Sequence, residues 1–330
     1  MDSREIIIKC IEFKNPPRIG LHFDVEPLHG KKWAVTDFGW LSYPYDPEKN
    51  YNNPNNDWGM KLTSLNAKGQ DKGQVKEHPL ADWSKFENYP WPDFSNPARY
   101  IKLKKQVAEF REKGLYIYGT IPSLMQLCSD LRYIENWFLD HLMYPGKLTD
   151  LLEIIHGARM DMINEYHKMG VDAVITWDDM GTNIDTLISP GEFRNIYFPW
   201  YKKLNDELHN RGMHFIHHCC GKVNKFMDMF IEAGTDVLQL DQPTLMGIDY
   251  LSRNYGGKIC FWNPVDIQTT MQEGSLEDIR DEAREMVEKL GKFNGGFMVK
   301  AYESPEAINL TEEKFVAQYE AFLEVADYKY

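Results

Sequence analysis

The sequence FIHHCCGK, at 215–222, brings two histidines, two cysteines and a glycine into one short run. In an extended strand, alternate side chains share a face. Ile216, His218 and Cys220 therefore line one face, and His217 and Cys219 line the other. A histidine and a cysteine two apart on one face can bind one metal ion, and imidazole nitrogen with thiolate suits zinc. Gly221 lets the backbone turn away and leaves room beside the pair. Two ligands do not complete a site. The alternative is a structural cysteine beside a histidine that satisfies a backbone carbonyl. A third donor must come from another strand tip, with Glu303 the best placed and Asp241 and Asp178 as other carboxylates. A solvated loop glutamate is the alternative reading of Glu303.

The second cluster is WDDMG, at 177–181. Adjacent side chains point to opposite faces, so only one of Asp178 and Asp179 enters a barrel while the strand stays regular. Either carboxylate suits substrate orientation, general acid–base work or metal ligation. Capping the next helix is the alternative. His22 and Asp24 end an early strand and are placed to line the same mouth as catalytic candidates. Trp33, Trp40, Trp58, Trp83 and Trp91 suit a lid over a flat or apolar ligand, or ordinary packing. His141, His156, His167 and His209 fall in helical segments and read as surface residues.

These residues need a frame. A short helix over 1–16 stops at Pro16-Pro17, and RIGLHFD (18–24) follows as a buried strand. Residues 25–98 are rich in Asn, Pro, Gly and aromatics, with little helical period. They read as an irregular insertion packed on the remainder, with a few strands or a hairpin among TDFGW (36–40), DWGMKLTSL (57–65) and HPLADW (78–83), and with one barrel strand drawn from 57–65. From about 97 the chain alternates, with strands at 115–122, 171–181, 213–221, 235–243, 258–266 and 295–304 between helices. About eight such strand–helix units predict a (β/α)₈ TIM barrel of α/β class, a single domain over 1–330. No glycine-rich phosphate fingerprint follows the first strand, so nothing favours a dinucleotide fold. In a barrel the polar strand tips converge on one mouth, where chemistry sits.

Composition narrows the partners. The balance of 37 Lys+Arg against 50 Asp+Glu gives a net charge of −13, which argues against nucleic acid or an anionic membrane surface as partner. The apolar runs fall short of the ~20 residues that span a bilayer. MDSREIIIKCIEF does not read as a signal peptide, and five irregularly spaced cysteines do not read as a disulfide framework. A reduced cytoplasmic enzyme is the expectation. The oligomeric state stays open, a homodimer included.

Six stretches, in order, resemble one known family. They are NPPRIGLHFD, EHPLADWSKFENYPWPDFSNPARY (77–100), LRYIENWFLDHLMYP (131–145), WDDMGTNIDTLISPGEFRNIYFPWYKKL (177–204), HHCCG (217–221) and FWNPVDIQTTMQEGSLEDIRDE (261–282). The chain resembles the uroporphyrinogen decarboxylase superfamily, and within it the branch of cobalamin-dependent methyltransferases. Two departures stand out. The arginine-bearing MRQAGRYLPEY motif of true uroporphyrinogen decarboxylases has no counterpart. The later zinc-binding cysteine of the thiol methyltransferases is missing from GGFMVKAYESPEAI, where Glu303 falls near its place.

The resemblance implies a barrel whose mouth accepts a corrinoid protein, with a methyl group moving between a small methylated substrate and cobalt. Zinc, held by His218, Cys220 and Glu303, would serve as Lewis acid. With fewer thiolates on the metal, an oxygen leaving group is better activated, which favours a methoxy donor and an O-demethylase type of reaction. Two alternatives come from the same superfamily. One is a decarboxylase of a carboxylated substrate, in which Asp178 or Asp24 supports a protonated intermediate. The other is a non-catalytic relative that binds a tetrapyrrole.

Overall fold

The architecture follows from where short apolar runs end in polar residues. The structure, a computed structural model, describes residues 1–24, 30–31, 34–48, 57–62, 75–303, 308 and 310–326. Ten strands are β1 (Gly20–His22), β2 (Phe38–Leu41), β3 (Lys61–Leu62), β4 (Val75–Glu77), β5 (Tyr116–Thr120), β6 (Ala173–Trp177), β7 (His214–His218), β8 (Val237–Gln239), β9 (Cys260–Asn263) and β10 (Phe297–Lys300). Eight of them form one parallel sheet in the order β1-β10-β9-β8-β7-β6-β5-β2. The remaining gap between β1 and β2 is bridged at His22–Thr36, where Phe23 N–H donates to Val35 and Asp37 N–H to Leu21, each at 2.8 Å. Helices follow most strands, and the result is a (β/α)₈ barrel.

The second barrel strand differs from expectation. It is Phe38–Leu41, which pairs with β5, whereas Lys61–Leu62 forms an antiparallel hairpin with Val75–Glu77 outside the barrel. DWGMKLTSL shows strand-like alternation, but alternation does not say which sheet a strand joins. FGWL is short and carries a glycine. That glycine is required by packing, because a Cβ at Gly39 would stand 2.5 Å from the ring of Phe110.

Barrel side chains alternate. Phe38, Tyr116, Tyr118, Ala173, Ile175, Ile216, Val237, Cys260, Trp262 and Met298 fill the interior. The opening helix Ser3–Ile11, capped by Asp2 and Glu5, plugs its lower end with Ile6, Ile7, Cys10 and Ile11. The opposite parity, with Val174, Phe215, Cys219 and Leu238, packs against the helices. Cys219 thus faces outward and Cys260 lies low in the barrel, away from the mouth.

Parts of the 25–98 segment are tied down by buried ion pairs. Arg99 meets Asp57 at 2.6 Å, both buried, and also donates to the Pro44 carbonyl at 2.9 Å. Arg132 pairs with Asp140 at 2.6 Å and lies 3.9 Å over the Trp83 ring. Trp33 lies outside the described residues. Two of the helical histidines are not on the surface. His141 Nδ1 donates to the Trp137 carbonyl at 2.7 Å, and His156 packs against Trp200. Both lie on the buried faces of their helices, His141 one turn after Trp137 and His156 next to Ile155. No helix among the described residues is long and apolar enough to cross a membrane.

Candidate metal centre at the barrel mouth

The tip of β7 sets the site. The parity that turns Ile216 inward also turns His218 inward, at the last position of the strand. His218 Nδ1 is hydrogen-bonded to Gln239 Oε1. Gln239 is oriented because its Nε2 donates to Asp241 Oδ1 at 2.7 Å. The amide oxygen can only accept, so Nδ1 carries a proton and Nε2 is the nitrogen left to face the cluster. That Nε2 faces Cys220 Sγ at 3.3 Å and Asp179 Oδ1 at 3.5 Å. Donor atoms of the three residues all lie within 4.8 Å of one another. The Trp177 ring stands 4.7 Å from the His218 ring and shields one side.

Two glycines hold the ligand loops together. Gly221 has φ +82°, and a Cβ there would sit 2.2 Å from the Gly181 carbonyl oxygen. A Cβ on Gly181 would stand 2.7 Å from the Lys222 nitrogen. The loops after β6 and β7 therefore cross backbone to backbone, joined by Gly181 N–H to the Cys220 carbonyl (3.2 Å) and Lys222 N–H to the Thr182 carbonyl (2.7 Å). This contact presses Asp179 and Cys220 toward the same point.

The electrostatics favour a cation at that point. Burial opposes charging of His218, yet Cys220 and Asp179 outweigh it and lift the imidazole well above its ordinary value. Burial pushes the Cys220 thiol up against the pull of His218. Desolvation also works against the Asp179 carboxylate, but hydrogen bonds and charge from His218, with bonds from Cys220, hold it below its ordinary range. One nitrogen, one sulfur and one oxygen are donor types that zinc accepts, and the set fits that ion.

The other expected residues divide. Asp178 has the opposite parity and points into the helix layer, fully buried. It accepts from Leu124 N–H (3.1 Å), Gln126 N–H (2.9 Å) and Tyr201 Oη (2.6 Å), so it caps the helix Met125–Arg132. It does not reach the cluster. Glu303 is not among the three clustered residues. Its Oε1 is taken by Lys300 Nζ at 3.1 Å, and Asp179 completes the triad instead. Lys300 is 1% exposed, lies 3.8 Å from Asp241, and sits 5.6 Å and 5.7 Å over the rings of Trp177 and Trp262. Burial opposes the Glu303 charge, but Lys300 and His22 hold its carboxyl below the usual range.

His22 lies within the barrel among Phe38, Tyr118 and Trp262. Its Nδ1 meets Thr36 Oγ1 at 2.7 Å, and burial pushes it down to about 4, so it is neutral. Asp24 sits half-buried just beyond β1, close enough to His22 to favour its charged form. Sequence reasoning missed Gln239 and Lys300. Both were accessible from strand parity, Gln239 two residues after Val237 and Lys300 two after Met298.

Comparison with known proteins agrees with this arrangement. A barrel with a nitrogen–sulfur–oxygen cluster at its strand tips is an enzyme-like architecture of the TIM class. The family model for uroporphyrinogen decarboxylase (URO-D) matches residues 58–308, and the chain belongs to that family. The fold is similar to that of a methyltransferase from Methanosarcina mazei, with TM-score 0.74 and 15% identity, over 98% of this chain and 99% of that one. L-ribulose 3-epimerase is a looser likeness, with TM-score 0.41 and 12% identity, over 72% of this chain and 82% of that one. No curated protein matches the sequence.

Proposed function

We propose that this chain is a zinc-assisted methyltransferase that moves a methyl group between a small methylated substrate and the cobalt of a corrinoid partner protein. The observation that carries the reading is the Asp179–His218–Cys220 cluster at the mouth. Family membership and the barrel shared with a methanogen methyltransferase are consistent with it.

Asp179, His218 and Cys220 would hold zinc, which supplies Lewis-acid activation of the substrate's leaving atom. One thiolate in the set leaves more positive charge on the metal than two would, which favours an oxygen leaving group and a methoxy donor. Gln239 fixes the His218 tautomer, and Asp241 fixes Gln239. Trp177 keeps water from one side of the imidazole. Lys300 partly offsets the charges of Glu303 and Asp241 beneath the mouth, while Asp179 is the carboxylate of the cluster and faces outward.

The same charges weigh against the decarboxylase reading. A carboxylated substrate needs uncommitted cations, and the buried Lys300 already faces two carboxylates. The test has two parts. Purified protein should hold about one zinc per chain, lost in the His218→Ala/Cys220→Ala double variant. With a reduced corrinoid protein it should form methyl-cobalt from at least one member of a broad methoxylated panel. Protein that carries no zinc, or demethylates nothing in the panel, refutes the proposal.

A further inference from the structure

A cavity beside the metal centre has no part in the chemistry above. It has a volume of about 230 Å³ and lies at the tips of β5 and β6. Its walls include the rings of Tyr43, Trp58 and Trp177, and its polar side includes Thr120, Gln126 and Asp130. An engineered apolar cavity of roughly 150 Å³ binds benzene, so this one has room for a substituted ring. Trp177 belongs to two places at once. It lines the cavity, and its ring, tilted by 46°, lies 4.7 Å from the His218 ring. A molecule in the cavity thus rests on the ring that rests on the metal ligand.

The polar side has a definite sense. Gln126 and Asp130 lie one turn apart on the helix Met125–Arg132, and Gln126 Nε2 donates to Asp130 Oδ1 at 2.9 Å. Among the described residues this leaves Asp130 Oδ2 and Gln126 Oε1, both acceptors, for a ligand. The described lining contains no Lys, Arg or His. Asp178 and Asp179 add negative charge nearby, and burial pushes the Asp130 carboxyl up to about 6. Such a pocket welcomes a hydrogen-bond donor and opposes an anion.

We propose that this cavity holds the non-reacting body of the substrate, and that Asp130 makes it select a flat aromatic molecule bearing a hydroxyl or amino group over an aryl carboxylate. The inference rests on the reading of the mouth as the reaction centre and names the substrate class for it. Asp130 acts as a specificity residue: it contacts the ring substituent, not the transferred methyl group.

Binding to the purified full chain, followed by calorimetry or tryptophan quenching, tests this with 2-methoxyphenol, 2-methoxybenzoate and methoxycyclohexane as probes. The wild type should bind 2-methoxyphenol about tenfold or more tighter than 2-methoxybenzoate, the effect expected of a hydrogen bond to a charged acceptor. Asp130→Asn should collapse that ratio, chiefly by admitting the benzoate. Leu127→Trp, which fills the cavity from its wall, should weaken 2-methoxyphenol at unchanged zinc content. Equal binding of phenol and benzoate by the wild type, or an unchanged ratio in Asp130→Asn with native circular dichroism, overturns the proposal. The two readings fail separately. Selective phenol binding without methyl transfer supports the cavity and removes the methyltransferase. Equal demethylation of methoxycyclohexane and 2-methoxyphenol, indifferent to Asp130, removes the cavity and supports the methyltransferase.

Discussion

Replacing Gln239 by leucine isolates the part of the metal centre that makes no contact with metal. Gln239 is buried, and its amide is fixed at both ends, by His218 Nδ1 and by Asp241 Oδ1 at 2.7 Å. Leucine has a similar volume and neither group. His218 then loses the acceptor that orients its ring and raises the basicity of Nε2. Loss of such an outer partner typically costs 10–100-fold in metal affinity. That corresponds to about 1.4–2.8 kcal/mol. The assay is competition for zinc between the protein and a chromophoric chelator at fixed pH, with stoichiometry measured alongside. The expected result is an unchanged limit near one zinc per chain with an affinity weaker by one to two powers of ten. Wild-type affinity in Gln239→Leu would show that His218 does not bind through an Nε2 set by this amide. The tautomer argument would then fail, and with it the geometry proposed for the site.

Other perturbations reach different parts of the molecule. Gly221→Ala forces a Cβ to within 2.2 Å of the Gly181 carbonyl at φ +82°. It should lower stability by about 2 kcal/mol or more and reduce zinc content, both read by thermal denaturation with metal analysis. Arg99→Met leaves Asp57 buried without its partner and should cost about 3–5 kcal/mol in denaturant unfolding. Glu282, buried against Asp266 N–H and Thr270, is pushed up by burial to about 7. The folded state therefore holds its proton more tightly than the unfolded chain. The stability this contributes is full below about pH 4.5 and is lost as pH rises through about 7, by at most about 3 kcal/mol. Unfolding free energies of Glu282→Gln across that window should show a flatter profile than wild type. An identical slope would rule out Glu282 as its source.

How much of this was legible in the sequence depends on strand parity. His218 and Cys220 share the inward face and Cys219 the outward one, because an alternating pattern survives from sequence to barrel. The same rule separates Asp178 from Asp179, but it does not say which face is inward until Ile175 and Trp177 are seen in the interior. Parity carries two residues past β6 and β7, to Asp179 and Cys220, and no further. Glu303 lies three residues beyond β10, where no alternation constrains it, and a long lysine from inside the barrel captures it. β2 was visible as a short piece at TDFGW but not as a barrel strand, for a related reason. Four residues, one of them glycine, offer too few positions for a period, and its partner β5 is about eighty residues away. Buried His156 shows another limit. A histidine on a helix reads as solvated unless the aromatic that covers it, here Trp200 from another helix, is known.

The crossing of Gly181 and Gly221 separates two things that most metal sites bind together. The spacing between candidate donor positions after β6 and at the end of β7 is set where main chain touches main chain, with no side chain in the contact. The identities of the donors are set elsewhere, at 179, 218 and 220. A sequence drifting through time is therefore free to exchange one ligand type for another without rebuilding the frame that spaces them. For a designer, the same division makes the two loops a socket. Carboxylate, thiol and imidazole become interchangeable parts, and the glycine pair is the piece that must be kept.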